Sequence, residues 1–384
     1  MDALTTLSNW QRVRLGDIAE IKRGASPRPI ENPKWFCTNS NVGWVRISDI
    51  SKNSRFLYKT AQKLSKKGIE KSRFIKQNSL IMSMCATIGK PIITKIDTCI
   101  HDGFVVFENP KIDLNYLYYF LCYIEKEWLE SGQQGSQVNL NVDLIKNKEV
   151  FCPKDLDEQI AIANILSGLD HYLCSLDALI LKKESVKKAL SFELLSQRKR
   201  LKGFNQAWQK VRLGDILSYE QPTKYLVATT QYLQKGFTPI LTAGKTFILG
   251  YTNDKHGIYT NIPVIIFDDF TTDSKMVNFP FKVKSSAIKI LSLRDNNQAD
   301  LKYIYEKLTL LKHQVTDHKR YWIDEFSNFE IPLPPLNEQI AIANILSALD
   351  NEIASLKNKK RQFENIKKAL NHDLMSAKIR VLKK

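Results

Sequence analysis

Between Leu349 and Leu374 the apolar residues Leu349, Ile353, Leu356, Phe363, Leu370 and Leu374 recur mostly at steps of three and four or their sums, with Lys360 and Lys367 filling two positions of the same seam. The pattern also runs through Leu169, Leu173, Leu176, Ile180, Leu190 and Leu194, interrupted by Lys183 and Lys187. Such spacing lines one face of an α-helix, so two long helices with coiled-coil seams of modest quality are predicted. No Gly or Pro after Gly168 breaks either one. Asp157 and Asn337 are the N-cap candidates, each followed by a glutamate, Glu158 or Glu338, where negative charge suits the helix dipole. Pro332, Pro334 and Pro335 stop earlier structure from running into the second helix. Roughly 43 residues per helix correspond to about 65 Å.

The segments before each helix alternate differently. Short β-branched and aromatic runs at Gly43–Ile47, Leu80–Met84, Gly103–Glu108, Pro263–Phe267 and Ala287–Leu291 predict strands. Leu114–Leu129 and Asp300–Leu311 predict a shorter helix late in each segment. The expected class is α+β, with mixed α/β lobes.

Residues 156–170, LDEQIAIANILSGLD, return at 336–350 as LNEQIAIANILSALD, identical at thirteen of fifteen positions. WQRVRLGDI from Trp10 returns as WQKVRLGDI from Trp208, identical at eight of nine. What lies between the anchors differs. The chain therefore divides into a variable block (1–155), a helical block (156–202), a second variable block (203–335) and a second helical block (336–384). Parallel pairing of the helices would force the second block to span about 65 Å. Antiparallel pairing needs no such span. It brings the last helix back beside the first block, giving a pseudo-circular, pseudo-two-fold arrangement.

Charge narrows the function. The chain carries 57 basic and 40 acidic residues, a net +17, which points to an anionic partner, nucleic acid above all. The first variable block holds 23 basic and 16 acidic residues and the second 16 and 13. Neither is extremely basic alone, so affinity for nucleic acid is expected to lean on contributions from outside these blocks. The six cysteines form no CxxC pair, which argues for reduced thiols in a cytoplasmic protein and against a zinc knuckle. The longest apolar run, Leu117 to Ile124, is far too short to cross a membrane.

NEQIAIANILSALD after PLPP, followed by a long helix, resembles the specificity subunits of type I restriction–modification systems. WQ-x-VRLGDI resembles the opening of their target recognition domains, and GWVRISDI at Gly43 and SGQQGSQVNLNVDLIKNKEVFCP at Ser131 fit as well. The resemblance covers essentially the whole chain. It implies two globular target recognition domains, 1–155 and 203–335, separated by two long antiparallel coiled-coil helices that serve as spacer. It also implies that each domain reads one half of a bipartite sequence in double-stranded DNA, with the helix length setting the gap. Two modification subunits would dock on the helices and methylate adenine with S-adenosylmethionine, and restriction subunits can join them. The specificity chain itself would hold no cofactor and no metal and perform no catalysis.

Base readers must present donors or acceptors to a groove edge. In the first block the candidates are Arg23, Ser26 and Arg28 in KRGASPRP, Arg46, and Gln133, Gln134, Ser136 and Gln137 in a Gly-flanked loop. In the second they are Lys245, Asn253, Lys255, His256, Lys319, Arg320 and Tyr321. Trp10 and Trp208 read as packing anchors. On the helices, identity at polar positions suggests that both copies meet the same partner. The partner-facing candidates are Glu158, Gln159, Ile162 and Asn164, with Glu338, Gln339, Ile342 and Asn344.

Enzyme readings lack support. The sequence has no Asn/Asp-Pro-Pro-aromatic loop, no phosphate-binding GxxxxGK[ST] and no HxH or HExxH pattern. The alternatives left open are a coiled-coil scaffold with two ligand-binding lobes, and a specificity protein that lacks cognate partners.

Overall fold

The computed structural model describes residues 9–53, 55–130, 140–228, 231–244, 246–311 and 320–381. Its packing divides the chain into unit 1 (residues 1–176 and 359–384) and unit 2 (residues 177–358). The helices therefore do not stand apart from the lobes, as the sequence partition had them. Each unit takes in a segment of both.

Each repeat of WQ-x-VRLGDI opens a unit in the same way. Trp10–Arg14 pairs antiparallel with Glu149–Pro153, and Gln209–Arg212 pairs antiparallel with Glu330–Leu333. A single helical turn follows, Leu15–Ile18 or Leu213–Ile216, whose leucine is fully buried. In unit 1 the insert forms a five-stranded sheet in the order Glu20–Arg23, Phe104–Glu108, Leu80–Ser83, Pro91–Thr94, Phe56–Leu57. A four-stranded sheet runs in the order Gln62–Lys63, Gly43–Val45, Thr98–Ile100, Arg73–Ile75. In unit 2 the order is Leu217–Glu220, Ile288–Leu293, Val264–Asp268, Ser274–Val277, beside a three-stranded sheet of Ile248–Thr252, Thr238–Leu241 and Lys282–Val283. The five expected strands all form, with ends shifted by a residue or two.

Four helices have ten or more residues among the described residues: α1 (Leu114–Tyr123), α2 (Leu156–Leu195), α3 (Leu301–Leu310) and α4 (Leu336–Met375). Leu114–Leu129 is two helices rather than one, broken at Ile124 before Glu125–Glu130. The long helices start earlier than expected. Asp155, not Asp157, caps α2, its Oδ1 accepting from the Asp157 N–H at 3.0 Å. At α4 the Pro335 carbonyl takes the first turn's N–H groups, and Asn337 lies inside the helix. Forty residues make each about 60 Å long.

The seam lysines have partners. In unit 1 Lys367 pairs with Asp170, and the Tyr172 ring meets the Phe363 ring at a tilt of 55° with centroids 4.6 Å apart. In unit 2 Lys187 pairs with Asp350 at 2.6 Å and Lys183 with Glu352 at 2.8 Å. Partner numbers fall on α4 as they rise on α2, so within each unit the two segments run antiparallel. Lys187–Asp350 and Lys367–Asp170 are the same pair under the repeat. Leu374 and Met375 seal the core of unit 1 beside Ile162 and Leu166, while Leu194 and Leu195 do so in unit 2 beside Ile342 and Leu346.

Candidate nucleic-acid interface

The KRGASPRP segment leaves the edge strand Glu20–Arg23 and is held against the turn at His101–Asp102. The Gly24 N–H donates to the Phe104 carbonyl at 2.8 Å and the Ala25 N–H to the Ile100 carbonyl at 3.0 Å. A Cβ on Gly24 would stand 2.0 Å from the His101 carbonyl oxygen, so only glycine permits the approach. Asp102 then gathers the segment's polar groups. Ser26 Oγ donates to its Oδ1 at 2.7 Å, Arg28 Nη2 to its Oδ2 at 2.9 Å, and Arg23 Nε to its carbonyl at 2.8 Å. Arg46 arrives by another route. Gly43–Val45 pairs in parallel with Thr98–Ile100, which places the strand ends leading to Arg46 and His101 side by side.

An open cavity of about 430 Å³ results, lined by Ser26, Arg28, Trp44, Arg46, His101 and Asp102 among others. A neighbouring cavity of about 310 Å³ shares His101 and Asp102 and adds Arg23 and Cys85. All four candidates that fall in described parts of the first block thus converge on one place. Burial pushes the Asp102 carboxyl up, but the Ser26 hydrogen bond and the Arg28 charge outweigh it and hold the group below the usual carboxylate range. Burial pushes the His101 imidazole down against the attraction of Asp102. Its Nδ1 accepts from the Gly103 N–H at 2.9 Å, so a neutral ring carries its proton on Nε2. Burial, with Asp102 nearby, raises the Cys85 thiol. Asp102, His101 and Trp44 were not singled out in the sequence. They lie far along the chain from KRGASPRP, and only strand pairing brings them in.

In unit 2, Asn253, Lys255, His256 and Arg320 are exposed. Asn253 Oδ1 accepts from the Phe237 N–H at 3.3 Å. The turn at 254–256 is pinned by Lys282, a buried lysine whose Nζ reaches Asp254 Oδ2 and the His256 carbonyl, each at 2.7 Å. Contrary to the expectation for a base reader, Tyr321 is fully buried in the same core as Trp322 and Phe326, so the aromatics of HKRYW are packing residues and not base contacts. Gln133, Gln134, Ser136, Gln137, Lys245 and Lys319 lie outside the described residues.

The partner-facing candidates separate into two groups. Glu158, Gln159, Ile162, Glu338, Gln339 and Ile342 are between 0% and 7% exposed, and their polar groups are taken up within their own unit. The Glu158 carboxylate accepts from Trp10 Nε1 at 3.3 Å and pairs with Arg380 at 3.4 Å. Glu338 accepts from Trp208 Nε1 at 3.0 Å and from Arg200 at 2.6 and 3.1 Å. Gln159 Oε1 accepts from the Asp113 N–H and its Nε2 donates to the Pro153 carbonyl, at 2.9 and 2.8 Å. Gln339 treats the Asp300 N–H and the Pro334 carbonyl identically, at 2.9 and 2.8 Å. Asp113 and Asp300 are the N-caps of α1 and α3. The common partner of EQ is therefore each unit's own frame. A signal for it was present: Asp113-Leu-Asn-Tyr-Leu-Tyr matches Asp300-Leu-Lys-Tyr-Ile-Tyr. The docking reading is left with the exposed part of the expected helix faces Ile160–Ile165 and Ile340–Ile345, among them Asn164 and Asn344 with Ile160 at 37% and Ile340 at 41% exposed.

Among the described residues no group of three or more His, Cys, Asp or Glu could hold a metal ion, and no helix is long and apolar enough to cross a membrane.

Comparison with known proteins agrees with this division into two like units. The family model described as the type I restriction modification DNA specificity domain matches twice, at residues 7–183 and 205–365. The specificity subunit of the type I restriction enzyme EcoR124I/EcoR124II of Escherichia coli is 46% identical over 186 residues, spanning 44% of this chain and 46% of that one. The chain's match thus spans about half the length of that relative. A putative specificity subunit of the MjaX enzyme of Methanocaldococcus jannaschii is 26% identical over 97% of this chain and 94% of its own. The crystal structure of the S subunit from M. genitalium superposes with a TM-score of 0.63 at 15% identity, covering 95% of this chain and 96% of that one. A second solved structure, described as bearing on complex assembly and conformational transition of the type I restriction–modification system, has a TM-score of 0.57 at 14% identity, with coverage of 96% and 98%. With two matches that together take in most of its length, the chain belongs to the type I restriction–modification DNA specificity family.

Proposed function

We propose that this chain reads a bipartite DNA target, one half by each unit, and docks two modification subunits that methylate adenine with S-adenosylmethionine while the chain itself performs no chemistry. The observation that carries the reading is the cavity of unit 1. There, Ser26, Arg28 and Arg46, three side chains able to donate to bases or phosphates, line one cavity with the Asp102 carboxylate, and Arg23 lines the neighbouring cavity and donates to the Asp102 carbonyl. Specific recognition needs both charge for the backbone and oriented groups for base edges. The test is sequencing for methylated adenines in cells with and without the gene. A two-part methylated motif that vanishes with the gene supports the reading, and an unchanged methylation pattern in cells that carry the modification subunit refutes it.

Docking is assigned to the exposed residues of the repeated helical stretch, Ile160 and Asn164 in one copy and Ile340 and Asn344 in the other. Asn164→Arg together with Asn344→Arg leaves the fold intact, because both side chains are exposed, and is expected to abolish co-purification with the modification subunit. Survival of the complex would place docking elsewhere.

A further inference from the structure

Resting on the DNA-reading proposal, we propose that Asp102 and Arg46 are the specificity-determining pair of unit 1. In this reading the Asp102 carboxylate accepts from the N4 amine of a cytosine, the Arg46 guanidinium donates to O6 and N7 of the paired guanine, and one position of the half-site is fixed as G·C.

Three features of the cavity lead there. The first is the carboxylate itself. A pocket meant for phosphate would not hold an ionised acid among its arginines, since like charges repel. An acid among base readers is useful only where the DNA offers an amine, and in the major groove those amines belong to cytosine and adenine. Ser26 and Arg28 each donate one hydrogen bond to the Asp102 carboxylate. A carboxylate has about four acceptor sites, so capacity remains, and the side chain is 38% exposed. Ser26 and Arg28 thus hold the acceptor in place without exhausting it.

The second feature is the state of the arginines. Arg23 and Arg28 are committed to Asp102, by its carbonyl and its carboxylate. The Arg46 guanidinium is exposed and makes no hydrogen bond or ion pair among the described residues, yet it lines the same cavity. A free guanidinium beside a fixed carboxylate matches the two adjacent acceptors of guanine and the amine of its partner, whereas adenine is read by a side-chain amide that both donates and accepts. The third feature is the wall. Trp44 is fully buried beneath the cavity, and its indole N–H has no hydrogen-bond partner among the described residues. That N–H is buried with the rest of the ring, so the exposed donor that the site keeps is Arg46.

The experiment is selection of bound duplexes from a randomised library by the full chain assembled with its modification subunits, read by sequencing. The wild-type assembly is expected to return a two-part motif with a G·C pair in one half. Asp102→Asn should weaken or redirect the preference at that one position by on the order of tenfold to a hundredfold, the range for loss of a good base contact. All other letters of both halves should stay. Arg46→Ala should relax the same position and leave the salt dependence of binding unchanged, whereas loss of a phosphate contact would lower the slope by about one. The proposal is overturned if either variant weakens all sequences equally, if the affected position is not G·C, or if the two variants affect different positions. Should Asp102→Asn release the Ser26–Arg28 segment and unfold the unit, Arg46→Ala decides alone, because the exposed Arg46 guanidinium makes no hydrogen bond or ion pair among the described residues. A wild-type assembly that selects no motif refutes the DNA-reading proposal first, an outcome distinct from a motif that ignores these two residues.

Discussion

The duplicated Trp–Glu–Arg contact offers a comparison inside one molecule. Glu338 is fully buried, and its two oxygens take both arms of Arg200 and the Trp208 indole at 2.6 to 3.1 Å. Its counterpart Glu158 faces Arg380 and Trp10 at 3.3 to 3.5 Å, beyond the usual range for a strong N–H···O bond. Replacing Glu338 by Gln keeps the shape and removes the charge. An unpaired buried charge costs about 3–5 kcal/mol. The Arg200 side chain is 24% exposed, so part of its charge is recovered by water, and about 2–3 kcal/mol is expected. Glu158→Gln should cost only about 1 kcal/mol, the usual net worth of a hydrogen bond. For a unit of this size each kcal/mol shifts the melting temperature by about 2–4 °C. Glu338→Gln should therefore lower the transition of unit 2 by roughly 4–12 °C, and Glu158→Gln that of unit 1 by roughly 2–4 °C. Calorimetry, with hydrogen exchange on peptides spanning each glutamate, assigns the loss to its unit. A cycle with Arg200→Ala should give a coupling of at least about 1.5 kcal/mol. Equal losses in the two units, or coupling near zero, would refute the argument that contact geometry sets the value of this pair.

Two further outcomes are expected. Lys307 is buried, its Nζ donates to the Leu195 carbonyl at 2.8 Å, and burial brings its ammonium down to about 8. Between that value and 10.5 the unfolded chain holds a proton that the folded one has released, so this group makes stability rise with pH over that window and leaves it flat below. Lys307→Met should raise stability at pH 7 by about 1–2 kcal/mol, a burial penalty offset in part by the lost hydrogen bond. The gain should shrink as pH climbs from 8 toward 10.5, and denaturant melts showing a pH-independent or negative effect would count against it. Gln197 and Ala377 follow the ends of α2 and α4 at φ of 62° and 56°, the left-handed conformation that favours glycine. Ala377→Gly should stabilise unit 1 by about 0.5–1 kcal/mol, checked by thermal melts.

What could be read in the sequence follows from how local each feature is. The long helices, the strand candidates and the antiparallel pairing were legible because periodicity and chain connectivity are local or topological facts. The lysines of the seam read as defects, since their partners Asp170 and Asp350 stand on the opposite helix. Identity at Glu158, Gln159, Glu338 and Gln339 was visible, but its meaning was not. Sequence identity records that two sites meet the same chemistry without saying whether that chemistry lies in another molecule or in α1 and α3 of the same one. For the candidate site, Arg23, Ser26, Arg28 and Arg46 were accessible from residue type. Asp102, which organises three of them, was not, because it arrives through strand pairing across some seventy-five residues. Tyr321 failed for the opposite reason: an aromatic beside basic residues looks the same in a groove reader and in a core.

Unit 1 is closed by the last segment of the chain, through Leu374, Met375, Lys367 and Arg380, whereas unit 2 is one unbroken stretch. On the ribosome this reverses the order of completion. The first lobe to emerge must wait for the final helix, about ten to forty seconds at about 5–20 residues per second, with the Ile162–Leu166 face uncovered and Glu158 and Asp170 lacking their cations. The second lobe can finish in the meantime. Birth order and folding order are thus decoupled, and the nascent N-terminal lobe is where a chaperone would be needed and where a premature stop codon late in the message would do damage far upstream.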